Sequence, residues 1–255
     1  LEAKDISKSF GDKHVLDSVN IDIERGEKIA FVGQNGQGKS TLAKILVGEL
    51  ESKGKVRLGH NVQIGYFAQN QSTYLDGKKT VLESAQDSAT PENRIKVRDL
   101  LGAFLFPGDA VDKKVHVLSG GERNRLALCK LLLQPFNVLV MDEPTNHLDI
   151  ASKNVLKEAL KKFKGTLILV SHDRDFVQGL CEKVISFKQR EVKTFLGDIN
   201  AYLEDQKFSS IKELEKKSKD QIKKPIKEKE NSYERQKEIR GAQQKISKLE
   251  RQISD

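Results

Sequence analysis

The sequence lacks any run of about 20 apolar residues of the kind that spans a bilayer, and its N-terminal stretch does not have the composition of a secretory signal peptide. These absences argue against an integral membrane protein and against a secreted one. We therefore expect a soluble protein of the cytoplasm, with no membrane span.

Cysteine is also scarce, because the 255 residues contain only Cys129 and Cys181. The two residues have neither the paired spacing of a metal site nor the density of a disulfide scaffold, which fits a reducing compartment. The sequence opens at Leu1 without a methionine and ends at Asp255 in the middle of a repeating pattern. We expect the chain to be a piece of a longer protein.

The net charge of +8 is unevenly distributed along the chain. Residues 206–255 carry 15 Lys/Arg against 9 Asp/Glu, which is +6 of the total. Any polyanion-binding surface indicated by charge therefore belongs first to this tail. A solvated charged helix has the same composition, and the tail contains no base-reading motif, so RNA, DNA and acidic protein surfaces all stay open as partners.

One glycine-rich stretch fits the P-loop pattern of glycine, four residues and then Gly-Lys-Ser. It follows a short apolar run, residues 29–32, and precedes a helix-like segment, residues 41–47, as the pattern requires. The glycines let backbone amides approach phosphate oxygens, and the following helix points its positive end at the same charge. The alternative is a glycine-rich strand-to-helix turn that binds no ligand. The stretch comprises Gly33, Gln34, Asn35, Gly36, Gln37, Gly38, Lys39 and Ser40, followed by Thr41.

Two regions flank the P-loop in the predicted fold. Residues 1–32 alternate apolar and polar side chains, which predicts an antiparallel sheet with one wet face. Residues 71–117 contain helical stretches near 80–87 and 91–104, which predict a small helical insert. Phe10, which we place in a turn, either stacks on a purine or packs in the core.

The second half of the chain carries three further polar clusters. Residues 118–122 open a strong helix with Ser119 as its predicted N-cap. A buried strand, residues 138–141, delivers Asp142 and Glu143 to its C-terminal end, and another, residues 166–170, delivers His172 to the same sheet edge. Open α/β sheets bind ligands at that edge. Paired carboxylates there indicate a polar site, whereas in isolation they would read as an exposed acidic turn.

The chain resembles the ATP-binding cassette (ABC) ATPase domain, because six motifs occur in its order: the P-loop at 33–40, Gln69, residues 118–122, residues 141–144, Leu148-Asp149 and His172. Residues 145–149 and 171–176 are similar to the ABC-F subfamily in particular, whose members are soluble tandem ATPases that act on the ribosome. The resemblance implies an α/β P-loop NTPase core with a parallel sheet, an antiparallel β subdomain and a small helical subdomain near 71–133. It implies an ABC domain over 1–204 and a basic helical tail over 205–255. Residues 239–253 of the tail predict a coiled-coil seam, and the tail resembles the extension after a second cassette.

The resemblance also implies ATP and Mg²⁺ as ligands and assigns roles to the site residues. Ser40, Gln69 and Asp142 would hold the metal, and Lys39 the terminal phosphates. Glu143 would activate the attacking water, with Gln69 sensing the metal and water and His172 contacting the γ-phosphate. Phe10 stands where tyrosine is frequent, and its assignment to adenine is the least secure.

By the same resemblance, the signature segment does not serve the nucleotide of its own cassette. It would cap the phosphate held by a second ABC domain, either preceding Leu1 in the native chain or in a homodimer mate. The signature comprises Leu118, Ser119, Gly120, Gly121 and Glu122, and the D-loop comprises Leu148 and Asp149.

The sequence therefore predicts an ATPase switch that acts on ribosomes, rRNA or tRNA. The main alternative is the ATPase subunit of an ABC membrane transporter, which the basic tail and the Asn146-His147 pair disfavour. A chromosome-organising ATPase would interrupt the cassette with a long coiled coil or zinc module, and residues 33–172 show none. A module that binds ATP without hydrolysing it is disfavoured by the intact carboxylates.

Overall fold

The structure is a computed structural model that describes residues 1–68, 75–146, 148–188 and 190–208, together with Lys237 and Arg240. Two compact units divide the chain, Leu1–Tyr202 and Leu203–Asp255. The described residues of the second unit are helical, and the predicted coiled-coil seam lies outside them except for Arg240. Within the described ranges, no helix is long and apolar enough to cross a membrane.

The first unit alternates strands and helices in the order expected of an α/β fold. Its strands are β1 (Glu2–Phe10), β2 (Lys13–Asp22), β3 (Lys28–Gly33), β4 (Lys53–Arg57), β5 (Ile64–Phe67), β6 (Val138–Asp142), β7 (Thr166–Val170), β8 (Lys183–Lys188) and β9 (Glu191–Leu196). Its helices are α1 (Lys39–Leu46), α2 (Val81–Gln86), α3 (Val97–Ala103), α4 (Gly120–Leu132), α5 (Ile150–Lys162) and α6 (Arg174–Val177). Short 3-10 turns cover Arg94–Lys96, Gly108–Asp112 and Val115–Val117.

The smaller sheet is antiparallel, with strand order β2-β1-β4. Val19 and Ile21 on β2, and Ile23 just after it, are buried, while the residues between them are exposed. The predicted sheet with one wet face is confirmed. Its apolar face packs into the main core with Leu42 and Leu46 of α1.

The larger sheet has the order β5-β6-β7-β3-β8-β9 and is parallel except for the final β8–β9 hairpin. All residues of β6 and β7 are buried, as expected for strands covered on both faces. Because β6, β7 and β3 are parallel neighbours, their carboxyl ends lie side by side. The residues that follow them are therefore brought to one edge of the sheet.

The helical stretch between the P-loop region and β6 is built on α4, against which α2 and α3 pack. The helix predicted for residues 91–104 is shorter than expected, since α3 begins only at Val97 after a turn and a 3-10 segment. The Thr90 carbonyl accepts bonds from the amides of Asn93 and Arg94, and the Asn93 side chain donates to the Leu133 carbonyl. These contacts tie the start of the segment to the end of α4 and hold it in a turn.

Candidate functional site

A cavity of about 830 Å³ lies at the edge of the large sheet where β3, β6 and β7 end. Its volume is in the range of small-molecule and cofactor sites. Parts of the P-loop, the carboxylate that follows β6 and the histidine that follows β7 all line it. The lining residues are Phe10, Lys13, Val15, Asn35, Gly36, Gly38, Lys39, Ser40, Thr41, Glu143, Asn146 and His172.

The P-loop connects β3 to α1, and its glycines adopt positive φ values that side-chain-bearing residues seldom adopt. Gly38 has φ 100°, and a Cβ there would lie 2.8 Å from a methyl carbon of Leu16. Gly33 has φ 148°, and its Cβ would lie 2.4 Å from the Phe187 carbonyl oxygen. Of the predicted loop residues, Gly33, Gln34 and Gln37 do not line the cavity, whereas the others do.

Lys39 is buried at the first position of α1, and its ammonium group folds back over the loop. Nζ donates hydrogen bonds of 2.9 Å to the carbonyl oxygens of Gly33 and Gln34. Burial lowers the pKa of Lys39, and the nearby carboxylates Glu143 and Asp142 partly oppose that effect. The cation is thus held at the cavity wall by carbonyl acceptors that a phosphate can replace.

Ser40, which lines the cavity, meets the buried Asp142 at the end of β6. The Ser40 hydroxyl donates to Oδ1 of Asp142 at 3.0 Å. Burial raises the pKa of Asp142, while the hydrogen bond from Ser40 lowers it. A hydroxyl and a carboxylate are the hard oxygen ligands that Mg²⁺ takes from a protein when substrate phosphates and water complete its shell. Among the described residues, no group of three His, Cys, Asp or Glu side chains could hold a metal ion unaided.

Glu143 has the most unusual environment of the group. It follows β6 with φ 50°, in the left-handed region that residues other than glycine seldom adopt, while its amide still donates to the Val170 carbonyl at 2.9 Å. Its Oε1 is buried and accepts no hydrogen bond from the described residues. Burial raises the pKa of Glu143, against the opposing effect of His172. A basic carboxylate oxygen therefore lies at the cavity wall.

His172 follows β7 and lies against Glu143. Its Nε2 is 3.5 Å from Oε1 of Glu143, and its amide donates to Oε2 at 3.4 Å. The first is a close polar contact that leaves Oε1 without a hydrogen-bond donor among the described residues, and the second is a long hydrogen bond. Gln69, predicted to complete this group, lies outside the described residues.

Phe10 is the last residue of β1 rather than part of the following turn, and its side chain is half exposed at the rim of the cavity. The Lys8 ammonium lies 5.4 Å from the ring centroid. Phe10 is therefore not part of the core, and a face of its ring is placed where a nucleotide base can stack.

The signature segment lies at the start of α4 and does not line the cavity. Ser119 is the N-cap, as predicted, and accepts a hydrogen bond from the Glu122 amide at 3.2 Å. The Glu122 carboxylate accepts in return from the Ser119 amide at 2.7 Å, which lowers the pKa of Glu122. Leu118 is buried, whereas Gly120 is exposed. The start of α4 is therefore not part of the cavity wall of its own chain.

The D-loop is joined to α4 by two contacts that the sequence did not predict. Asp149 caps α5 by accepting from the Ser152 amide at 2.8 Å, and its other oxygen lies 3.3 Å from the Arg125 guanidinium. The buried Asn124 amide donates to the Asn146 carbonyl at 2.9 Å. Leu148 is buried. The helix that begins with the signature therefore holds the loop that follows Glu143.

Lys13 and Val15 also line the cavity without having been predicted. They lie at the start of β2, directly after the tight turn that follows Phe10, so the hairpin places them beside it. The sequence could have indicated this, because only two turn residues separate Lys13 from Phe10. Asn124 offered a second signal, since it is a polar residue on the otherwise apolar face of α4.

Comparison with known proteins identifies related sequences. The family model described as ABC transporter matches residues 16–146. The chain is 46% identical over 227 residues to the ABC transporter F family member 5 of Arabidopsis thaliana, covering 88% of this chain and 33% of that protein.

Two bacterial proteins show similar identity. The chain is 44% identical over 218 residues to the putative ATP-binding protein YdiF of Bacillus subtilis, covering 85% of this chain and 34% of that protein. It is 39% identical over 203 residues to the probable ATP-binding protein YheS of Escherichia coli K12, covering 79% and 32%. The chain spans about a third of the length of the curated relatives it matches.

Proposed function

The chain belongs to the ABC transporter family of ATP-binding domains, with F family members among its relatives, and from this premise we propose that it is one Mg²⁺-dependent ATPase half of an ABC-F protein. The observation that carries the proposal is the convergence of Lys39, the Ser40–Asp142 pair and Glu143 on one cavity. Phosphoryl transfer requires this combination of a phosphate cation, a metal-binding oxygen pair and a water-orienting base.

Phosphate binding falls to the P-loop and Lys39. The loop amides and the N-terminus of α1 attract the phosphate oxygens, and Lys39 exchanges its two carbonyl acceptors for them. Ser40 and Asp142 would hold Mg²⁺, which would supply charge neutralisation for the phosphates. Phe10 stacks on the base.

Water activation falls to Glu143. Its buried Oε1 is available as an acceptor for a proton of the attacking water, and its raised pKa makes it a stronger base than an exposed glutamate. His172 lies beside this carboxylate, with Nε2 3.5 Å from Oε1, and contacts the γ-phosphate. The two groups orient the water and the phosphate relative to each other.

The test is steady-state phosphate release by the purified protein in its full native length. We expect turnover with Mg²⁺ and ATP that stops when the metal is chelated and returns when it is restored. Tight ATP binding without any phosphate release would instead favour the non-hydrolysing binding module.

A second part of the proposal is that the active unit contains two cassettes. The position of residues 118–122 outside the cavity supports it, as does the threefold greater length of the relatives. Residues 1–255 alone should hydrolyse ATP slowly at concentrations too low to dimerise. Turnover equal to that of the full-length protein under those conditions would contradict this part.

The third part is that the ATPase acts as a switch on the ribosome. It rests on the resemblance to ABC-F proteins and on the +6 charge of residues 206–255. Deleting those residues should weaken association with purified ribosomes and flatten its salt dependence, because fewer counterions are released. An unchanged salt slope would remove the tail from the interaction. Binding to membrane vesicles rather than ribosomes would favour the transporter alternative.

A further inference from the structure

Helix α5 joins the D-loop to the residues that hold His172. Its N-cap is Asp149, and Lys153 lies one turn further on, about 6 Å along the axis. The Lys153 ammonium is 2.6 Å from Oδ2 of Asp173, the residue directly after His172. Both side chains of this ion pair are mostly covered, with exposures of 33% and 22%.

The backbone on either side of His172 is fixed by Asp173. Its Oδ1 accepts from the Phe176 amide at 3.1 Å and caps α6, and its own amide donates to the hydroxyl of the buried Ser171 at 3.1 Å. Lys153 supplies the remaining contact of this carboxylate among the described residues. Although burial opposes ionisation, the bonds from Lys153 and Phe176 keep the pKa of Asp173 below its usual range.

The side chain of His172 is held less firmly than its backbone. It is about half exposed, and its contact with Glu143, from Nε2 to Oε1, is 3.5 Å long, while the backbone amide of His172 is 3.4 Å from Oε2. A shift of a few tenths of an ångström in residues 171–173 would break both. The placement of the imidazole is therefore decided by whatever fixes that backbone segment.

We propose that Lys153 is a positioning residue for hydrolysis, which acts through Asp173 to set His172 against Glu143. This inference rests on the proposed ATPase function. Because α5 begins at Asp149, the ion pair also makes the position of His172 depend on the D-loop.

Two other lysines on the same helix, Lys157 and Lys161, do not have this geometry. Lys157 donates to the backbone carbonyl of Asp175. Lys161 pairs with Glu158 of its own helix at 2.8 Å, and both of those side chains are exposed. Lys161→Met is therefore the matched control for Lys153→Met, since each variant replaces one lysine of α5 by an uncharged side chain of similar length.

The experiment measures ATP turnover by the full-length protein. Lys153→Met should lower kcat about tenfold, a typical consequence of misplacing a reacting group, with KM for ATP within twofold. Lys161→Met should leave both constants unchanged, and Lys153→Arg should restore most of kcat because it keeps the ion pair. Loss of kcat by the Lys161 variant to the same extent would overturn the inference.

Two further variants test whether the effect passes through the named residues. Asp173→Asn keeps the helix cap but loses the charge, so it should reduce kcat as Lys153→Met does, and the double variant should be no worse. In a His172→Ala background, Lys153→Met should have no added effect. If the reductions in kcat caused by the single changes instead multiply in the double variants, Lys153 does not act through Asp173 and His172.

A hydrolysis-independent readout separates this inference from the proposed function. The ring resonances of His172, identified among the five histidines by comparison with His172→Ala, should shift in Lys153→Met and not in Lys161→Met. If the parent protein hydrolyses no ATP, the proposed function fails while this comparison still decides the positioning role. His172 ring resonances that do not shift in Lys153→Met would overturn the positioning role.

Discussion

The P-loop helix α1 and the signature helix α4 both present an N-terminus to solvent-accessible space, but their first turns are satisfied differently. The N-cap of α1 is Gly38, which offers no side-chain hydrogen bond. The N-cap of α4 is Ser119, which forms a reciprocal capping box with Glu122. The first turn of α1, which begins at Lys39, lines the cavity together with Glu143, whereas the start of α4 lies outside it.

This difference shows what each helix end needs from a ligand. The N-cap of α1 provides no side-chain acceptor for the first amides, and under the proposed function a bound phosphate accepts from them. The α4 end is stabilised internally and can remain exposed without a ligand. On that proposal, the first helix end binds the nucleotide of its own cavity and the second serves a nucleotide held by another cassette.

The largest expected effect is on the cavity side of the comparison. Glu143→Gln keeps the size of the side chain but removes the base, so ATP binding should persist while turnover falls by roughly 10² or more. The measurement is steady-state phosphate release alongside equilibrium nucleotide binding. Glu158→Gln, at an exposed position on α5, is the control, and equal turnover by the Glu143 variant and the parent would exclude Glu143 from the mechanism.

The second effect concerns affinity rather than rate. Lys39→Ala should weaken ATP binding by roughly 10- to 100-fold, because hydrogen bonds to charged groups contribute about 1.5–3 kcal/mol. Fluorescence titration with ATP in the presence of Mg²⁺ measures it. Lys55→Ala on the exposed strand β4 provides the comparison, and an affinity lowered equally by both changes would mean that Lys39 has no specific role.

The third test uses a second capping box within the chain. Thr80 and Glu83 cap α2 with the same reciprocal bonds that Ser119 and Glu122 make on α4. Ser119→Ala and Thr80→Ala should each cost about 1 kcal/mol of folding stability, measured by denaturant unfolding.

Only the Ser119 change should also lower turnover of the full-length protein, about tenfold, since a hydrogen bond to a phosphate oxygen is lost as well. If the two variants lose turnover equally, the signature segment contributes stability and no contact to a nucleotide. That result would mean that only the N-terminus of α1, and not that of α4, contacts a nucleotide.

The smallest effect is in the pH dependence. Because burial raises the pKa of Glu143, its carboxylate is protonated at a higher pH than an exposed glutamate, and turnover should begin to fall at that higher pH as the solution is acidified. Residual turnover of Glu143→Gln should lack this acid limb. A profile of kcat against pH with the same acid limb in both proteins would assign it to another group.

The raised pKa has a matching consequence for stability. A carboxyl group whose pKa is higher in the folded than in the unfolded state destabilises the fold fully above its folded-state pKa, and this effect disappears only below its unfolded-state pKa, where both states are protonated. Glu143→Gln should therefore raise the thermal midpoint at neutral pH and leave it unchanged in acid. An equal shift at both pH values would point to a packing change instead.

Much of the fold was predictable because its signals are local. The alternation in β2 and the apolar runs of β6 and β7 identify these strands directly, and the residues that follow parallel strands must meet at one edge. The P-loop glycines were recognisable from spacing alone. The family and the fold class predicted from these motifs are confirmed by the matching family model.

The parts that sequence reasoning missed depend on contacts between distant segments. Helix α3 begins later than predicted, after a turn where the Asn93 side chain donates to the Leu133 carbonyl. The burial of Asn124 is explained by its hydrogen bond to the Asn146 carbonyl. Neither partner is visible in a local pattern. The left-handed conformation of Glu143 was equally hidden, because its sequence neighbourhood contains no residue that requires it.

The contact between Gly33 and Phe187 has a consequence for the order in which the domain can mature. The phosphate loop is encoded near the beginning of the chain, yet the strand against which its first glycine rests, β8, is encoded near the end of the domain. During synthesis the loop therefore lacks its contact with β8 until almost the whole domain has been made. A nascent chain that stops before β8 should be unable to retain ATP, whatever motifs it already contains.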